Sequence, residues 1–216
     1  MTIGRLARLG AVLALATATT LAGVAPASAH RRSTPAPTGT ASLATLLSAD
    51  GSGFDTNARD YDILDNAVTA VLTAKPDSPV AVLADGSTPL TAFLPNDKAF
   101  RTLAYDLTGH RYRSEAKVFS VLATQLGVDT IENVLLYHVV PGSTISYRQA
   151  RAANGAVLTT ALAGSTLEVK VVYCRVVSLV DADPDARNPF VVDPNLNRGN
   201  LQIGHGVDRV LRPVDL

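Results

Sequence analysis

Thr91-Ala92-Phe93-Leu94-Pro95-Asn96-Asp97-Lys98-Ala99-Phe100 holds an abrupt change of period. Leu90 to Leu94 is a short apolar run and reads as a strand. Pro95-Asn96-Asp97 then opens a helix. Proline is tolerated where a helix begins, and Asn96 or Asp97 can accept hydrogen bonds from the free N–H groups of the first turn. Phe100, Leu103, Ala104 and Leu107 share one face of that helix, and Gly109 is its stop. A strand thus feeds straight into a helix, with Phe93 and Phe100 both directed at a core.

Upstream, Ser42 to Ala49 is a short helical candidate. Asp60 caps a longer helix whose inner face is Leu64, Ala67, Val68, Val71 and Leu72, ending before Pro76. Val80 to Ala84 reads as a strand. Downstream, Ser114 to Leu126 and Thr130 to Tyr137 are two helices separated by Gly127, and Val139-Val140-Pro141-Gly142 stops the second. Then the period becomes two. Leu167, Val169 and Val171 alternate with polar residues as a half-buried strand, and Cys174 to Val180 continues as another. Asp181 to Asn200 contains three prolines and many Asp and Asn residues, so an exposed loop is expected. Val207 to Leu211 is the expected closing strand. Helices first and strands afterwards predict an α+β domain.

Outside this block, residues 1–29 read as a secretory signal peptide: Arg5 and Arg8, an apolar run from Leu9 to Ala25, then Ala27-Ser28-Ala29 as a small-residue cleavage site. Leu21-Ala22-Gly23-Val24 is similar to a lipoprotein processing box, but Val24 stands where a cysteine is needed. Residues 30–41 are rich in Pro, Ser and Thr and read as a disordered leader. The expected domain is 42–216, in a secreted, extracellular protein without a membrane anchor.

Formal net charge is zero at pH 7, and the signal carries two arginines and no acid, so the remainder is slightly acidic. No basic run is present, which argues against nucleic acid as a partner. Cys174 is the one cysteine. It cannot form an intramolecular bridge, and its β-branched surroundings predict a buried small hydrophobe.

Two further segments fall in order with the first. Asn133-Val134-Leu135-Leu136-Tyr137-His138-Val139-Val140-Pro141-Gly142 is one, and Gly204-His205-Gly206-Val207-Asp208-Arg209-Val210-Leu211-Arg212-Pro213 is the other. Together the three boxes resemble the fasciclin (FAS1) family over about Ser42 to Leu216, in the form of a secreted bacterial single-domain member. The resemblance implies a small β-sandwich or wedge packed against several helices. It also implies a role in adhesion, linked in the family to the Tyr-His dipeptide. Leu94 replaces the usual small residue of the first box, and Asn96-Asp97 stands for the usual Thr/Ser-Asn. Gly204 and Gly206 replace aliphatic residues and predict a looser segment there.

For chemistry, no Gly-x-Ser-x-Gly elbow, phosphate loop or zinc spacing is present. Tyr137 and His138 are the candidate binding residues. They project in different directions, which favours structural roles: a hydrogen bond from His138 pinning the next turn, and a buried Tyr137 ring with its hydroxyl paired. Asp181-x-Asp183-x-Asp185 opens like a calcium loop, but Ala186 sits where Gly is required and Val192 where a bidentate Glu is required. Asp193, Asn195 and Asn197 add oxygens to the same loop. Among Tyr61, Tyr105, Tyr112, Tyr147 and Tyr173, the expected exposed rings are Tyr112 and Tyr147. The reading is a non-catalytic binding or adhesion protein engaging a cell-surface or extracellular matrix component, protein or polysaccharide, with no cofactor. Two alternatives stand beside it: an extracellular hydrolase of polysaccharide or ester using His138 or His205, and a calcium or small-ligand module using the 181–197 loop.

Overall fold

The computed structural model describes residues 37–50 and 53–216. The expected signal, residues 1–29, and the leader as far as residue 36 lie outside the described residues. At the end of the expected leader, Thr38 and Gly39 donate to the Gly199 carbonyl, and the Ala41 amide donates to Asn200 Oδ1. These residues are therefore paired with the domain.

The strand of the first box, β1 (Leu90–Pro95), is buried along its whole length. It pairs antiparallel with β2 (Val139–Pro141) and parallel with β7 (Gln202–Val207), so the three family-like boxes lie side by side in one sheet. β6 (Val191–Leu196) completes the order β2-β1-β7-β6. β3 (Val157–Thr159), β4 (Thr166–Val172) and β5 (Val176–Val180) form a second, antiparallel sheet. The strand period sorts β1 between two cores. Leu90, Ala92 and Leu94 join a helical core, while Phe93 packs with Val140, Leu167, Val169, Val177, Leu179 and Val207 between the sheets.

The helical core is built by α1 (Leu43–Leu47), α2 (Asp62–Ala74), α3 (Asp97–Thr108) and α4 (Glu115–Tyr137). Local chemistry starts and stops them. Ser42 caps α1, Asn96 Oδ1 accepts from the Ala99 amide to cap α3, and Gly109 at φ 68° closes α3. Ser114 caps α4, which is interrupted at Gly127 (φ 73°, ψ 165°), where the sequence divides it into two helices. The short α5 (Tyr147–Ala152) carries a reciprocal capping box between Ser146 and Gln149. The result is the expected α+β wedge.

Five expectations are corrected. Val80 to Ala84 is not a strand but part of a 3-10 turn, Pro79–Ala84, with Ser78 as its cap and Pro79 at its start. Asp60 does not cap α2; the carboxylate of Asp97, from the neighbouring helix, accepts from the Ile63 amide at 3.0 Å. Asp181 to Asn200 is not all exposed loop. It contains β6, which tolerates Pro194 because it lies at the sheet edge and carries register shifts. The closing strand is the glycine box Gln202–Val207, not Val207 to Leu211. Its glycines are tight: a Cβ at Gly204 would stand 2.7 Å from Leu94 Cδ1, and one at Gly206 2.2 Å from the Tyr61 hydroxyl. Finally, Cys174 is exposed, on the turn joining β4 to β5.

Candidate functional site

Tyr137 and His138 end α4 at the seam between the two cores, exposed by 1% and 4%. The His138 ring is committed at both nitrogens: Nδ1 lies 2.7 Å from the Val134 carbonyl and Nε2 2.9 Å from the Leu211 amide. A carbonyl only accepts and an amide N–H only donates, which fixes the neutral tautomer with its proton on Nδ1. An imidazolium would direct a second N–H at the Leu211 N–H. Burial therefore pulls the pKa down to about 4, opposed by the Val134 bond. The Tyr137 hydroxyl donates to the Thr166 carbonyl at 3.0 Å. Burial, followed by the Asp181 charge, pushes its pKa up to about 12.

His205, in the middle of β7, is 1% exposed and uses the opposite tautomer. Nε2–H donates to the Ile145 carbonyl at 2.8 Å, and Nδ1 accepts from the Asn195 amide at 3.2 Å. Burial lowers its pKa as well. The two histidines thus act as clips. His138 ties the end of α4 to the C-terminal segment, and His205 ties β7 to the edge strand and to the entry of α5. Neither has a nitrogen left to act as a base.

In the 181–197 loop the carboxylates do not converge. Asp183, 3% exposed, accepts from the amides of Asp185 and Ala186 at 2.9 and 3.1 Å and pairs with Arg212 at 3.0 Å. Burial would raise its pKa, but those hydrogen bonds outweigh it and hold the group below the ordinary range. Asp181 accepts from the Arg212 amide, and burial pushes its pKa up to about 6. Among the described residues, the groupings of three metal-ligating side chains lie elsewhere, near the start of α2.

The side chains that do face outward sit on the β4–β5 turn. Val172 accepts from the Arg175 amide, which encloses a two-residue turn of Tyr173 (φ 52°) and Cys174 (φ 56°). Left-handed backbone at both positions is the hairpin geometry that Asn-Gly adopts without strain. Here a tyrosine and a cysteine hold it, and Tyr173 is 86% exposed. Helix α5 braces the tip: the Tyr147 hydroxyl donates to the Arg175 carbonyl and Arg151 to the Cys174 carbonyl, both at 3.1 Å. Arg148 and Arg151, three apart on α5, are exposed, as are Arg175 and Lys170. The exposed tyrosines are Tyr105 and Tyr173, whereas Tyr112 and Tyr147 are half-buried. No turn residue marks Tyr173-Cys174 in the sequence, so the tip was legible only as a break between two valine-rich runs.

Two small sheets, a helical layer, and motif residues turned inward as clips define an α+β module of the fasciclin type. A model of the fasciclin domain matches residues 65–213, and the chain belongs to that family. Among solved structures, it is similar to a FAS1 domain pair from the insect cell adhesion molecule fasciclin I, at 14% sequence identity and a TM-score of 0.48. That match covers 70% of this chain and 47% of the other, so the chain spans about half the length of the pair. No curated protein matches.

Proposed function

We propose that this protein is a non-catalytic adhesion module, acting outside the cell, that binds an acidic polymer of the cell surface or matrix through the tip of the β4–β5 hairpin. The observation that carries the reading is the outward-facing Tyr173-Cys174 turn, held in left-handed backbone and braced by Tyr147 and Arg151 of α5, with Arg175 exposed next to it in sequence and Arg148 and Lys170 exposed on α5 and β4. Non-glycine residues in left-handed backbone cost on the order of 1 kcal/mol or more each, and such strain gathers at ligand-contacting segments. A tyrosine face beside guanidinium groups suits a polysaccharide bearing carboxylates, since Arg pairs with carboxylate in a fork and the ring covers the sugar. The commitment of every imidazole nitrogen of His138 and His205 supports the non-catalytic part of the reading over a hydrolase. Membership of the fasciclin family, whose domains serve in adhesion, supports the adhesion part of the reading.

Retention of the purified protein on immobilised polygalacturonate, with neutral dextran as control, tests this reading. Saturable retention on the acidic polymer that weakens as salt screens the arginines is the expected result. Equal retention on dextran, or none on either, would sink it.

A further inference from the structure

A second feature lies where α2 and α3 begin. Asp60, Asp62 and Asp97 each present a carboxylate oxygen, and these oxygens lie within 4.8 Å of one another. Asp97 is fully buried and Asp62 is 3% exposed. One oxygen of Asp97 is used, accepting from the Ile63 amide at 3.0 Å. The other, Oδ2, is buried with no hydrogen-bond partner, and so is Oδ1 of Asp60. Glu115 forms a neighbouring group with Asp55 and Asp60, but its oxygens are occupied by Arg101 at 2.8 Å and by the Asp55 amide at 2.8 Å. Arg101 gives its two terminal nitrogens to Glu115 and to the Arg113 carbonyl, while its buried Nε has no partner.

Buried carboxylate oxygens without donors are costly, and three carboxylates this close repel one another. Burial and the adjoining Asp60 carboxyl push Asp97 well above the ordinary carboxylate range, in spite of the Ile63 hydrogen bond. One shared proton could join Asp60 to Asp97 through these two oxygens, and the titration below separates that pairing from a bound ion. A divalent ion would satisfy both empty oxygens and offset the charge of Asp60 and Asp97, with the Asp62 oxygen within reach.

We propose that Asp60, Asp62 and Asp97 form a binding site for a hard divalent cation of the calcium class. The all-oxygen donor set selects such an ion over zinc or copper. The site ties the 58–60 segment to the starts of two helices. The Asp60 carbonyl already accepts from the Asp97 amide at 3.1 Å, and the Ala58 carbonyl from the Lys98 amide at 2.9 Å. An ion bound there would therefore add to stability rather than contact a partner.

Thermal unfolding of the purified protein, stripped with a chelator and titrated with calcium and separately with magnesium, tests the proposal. Wild type is expected to melt higher with calcium, the shift growing with the logarithm of concentration once the site is filled. Asp97→Asn keeps an oxygen for the Ile63 amide and supplies an N–H to Asp60. It is expected to fold with an unchanged or higher melting temperature without metal, and to lose the calcium shift. Asp60→Asn is expected to lose it too. No shift in wild type with either ion, as a shared proton alone would give, overturns the proposal. So does a shift of equal size in Asp97→Asn.

Discussion

Replacing His138 by Gln removes an ionisable group but keeps an acceptor for the Leu211 amide, which makes it a clean probe of the clip at the end of α4. In the folded protein the His138 pKa is depressed to about 4 from its ordinary 6.5. Sign follows from linkage. The unfolded chain binds the proton more readily than the native one, so the stabilisation is fully present above the unfolded pKa and is lost as pH falls through the folded one. At about 1.4 kcal/mol per pH unit, that depression is worth about 3 kcal/mol, lost between about pH 6.5 and about pH 4. At about pH 7.5, His138→Gln forfeits the bond to the Val134 carbonyl and some packing, a loss of about 1–2 kcal/mol. Toward pH 4 the variant keeps what it has while wild type gives up its 3 kcal/mol, so the gap closes and reverses. Urea unfolding followed by circular dichroism across this range measures both curves. Other groups titrate in the same window: burial lowers His205, acting in the same direction, and raises Asp181 to about 6, acting in the opposite one. They are common to both proteins and cancel in the difference. Parallel loss of stability in wild type and variant would refute the assignment of a neutral, doubly bonded His138.

Two substitutions probe packing with different signatures. Gly206→Ala places a methyl 2.2 Å from the Tyr61 hydroxyl and 2.8 Å from Asp193 Cβ. A loss of about 1–3 kcal/mol in urea unfolding is expected, partly recovered by adding Tyr61→Phe; strict additivity of the two would show that the hydroxyl is not the obstacle. Arg212→Ala strands Asp183, whose side chain is 1% exposed, and removes a partner of Asp106. Breaking a buried pair from one side costs about 3–5 kcal/mol, and a change under about 1 kcal/mol in the same assay would mean that the ion pair is solvated.

The parts of the fold written in local chemistry were readable from the sequence. Asn96 caps α3 and Gly109 closes it through residues that touch their own neighbours, so the first box needed no tertiary information. The Leu167-to-Val171 alternation likewise became β4 as read. What escaped was set by distant contacts. β7 reads as a glycine-rich loop because its small residues answer to Leu94 and Tyr61, which approach from elsewhere in the chain. β6 hides behind Pro194 and the left-handed Asn195, features an edge strand absorbs. Asp97 was read as a candidate cap for its own helix, yet it caps α2. The Tyr137 ring is buried with its hydroxyl paired, but His138 does not pin the turn that follows it: its ring bonds back to the Val134 carbonyl and across to the Leu211 amide, a distant partner that local sequence does not reveal. The hairpin tip at Tyr173-Cys174 was missed because nothing in those side chains favours positive φ.

We propose that the family's motif residues hold the fold while the hairpin tip makes the contact. This division is tested most directly by comparing three proteins on polygalacturonate, at a temperature where circular dichroism shows all of them folded: wild type, His138→Gln, and the double variant Tyr173→Asn with Cys174→Gly. The double variant relaxes the turn and is expected to be as stable as wild type or more so. His138→Gln is expected to bind as wild type does, and the double variant to lose retention at least tenfold. Undiminished binding by the double variant, or loss of binding by folded His138→Gln, would contradict it.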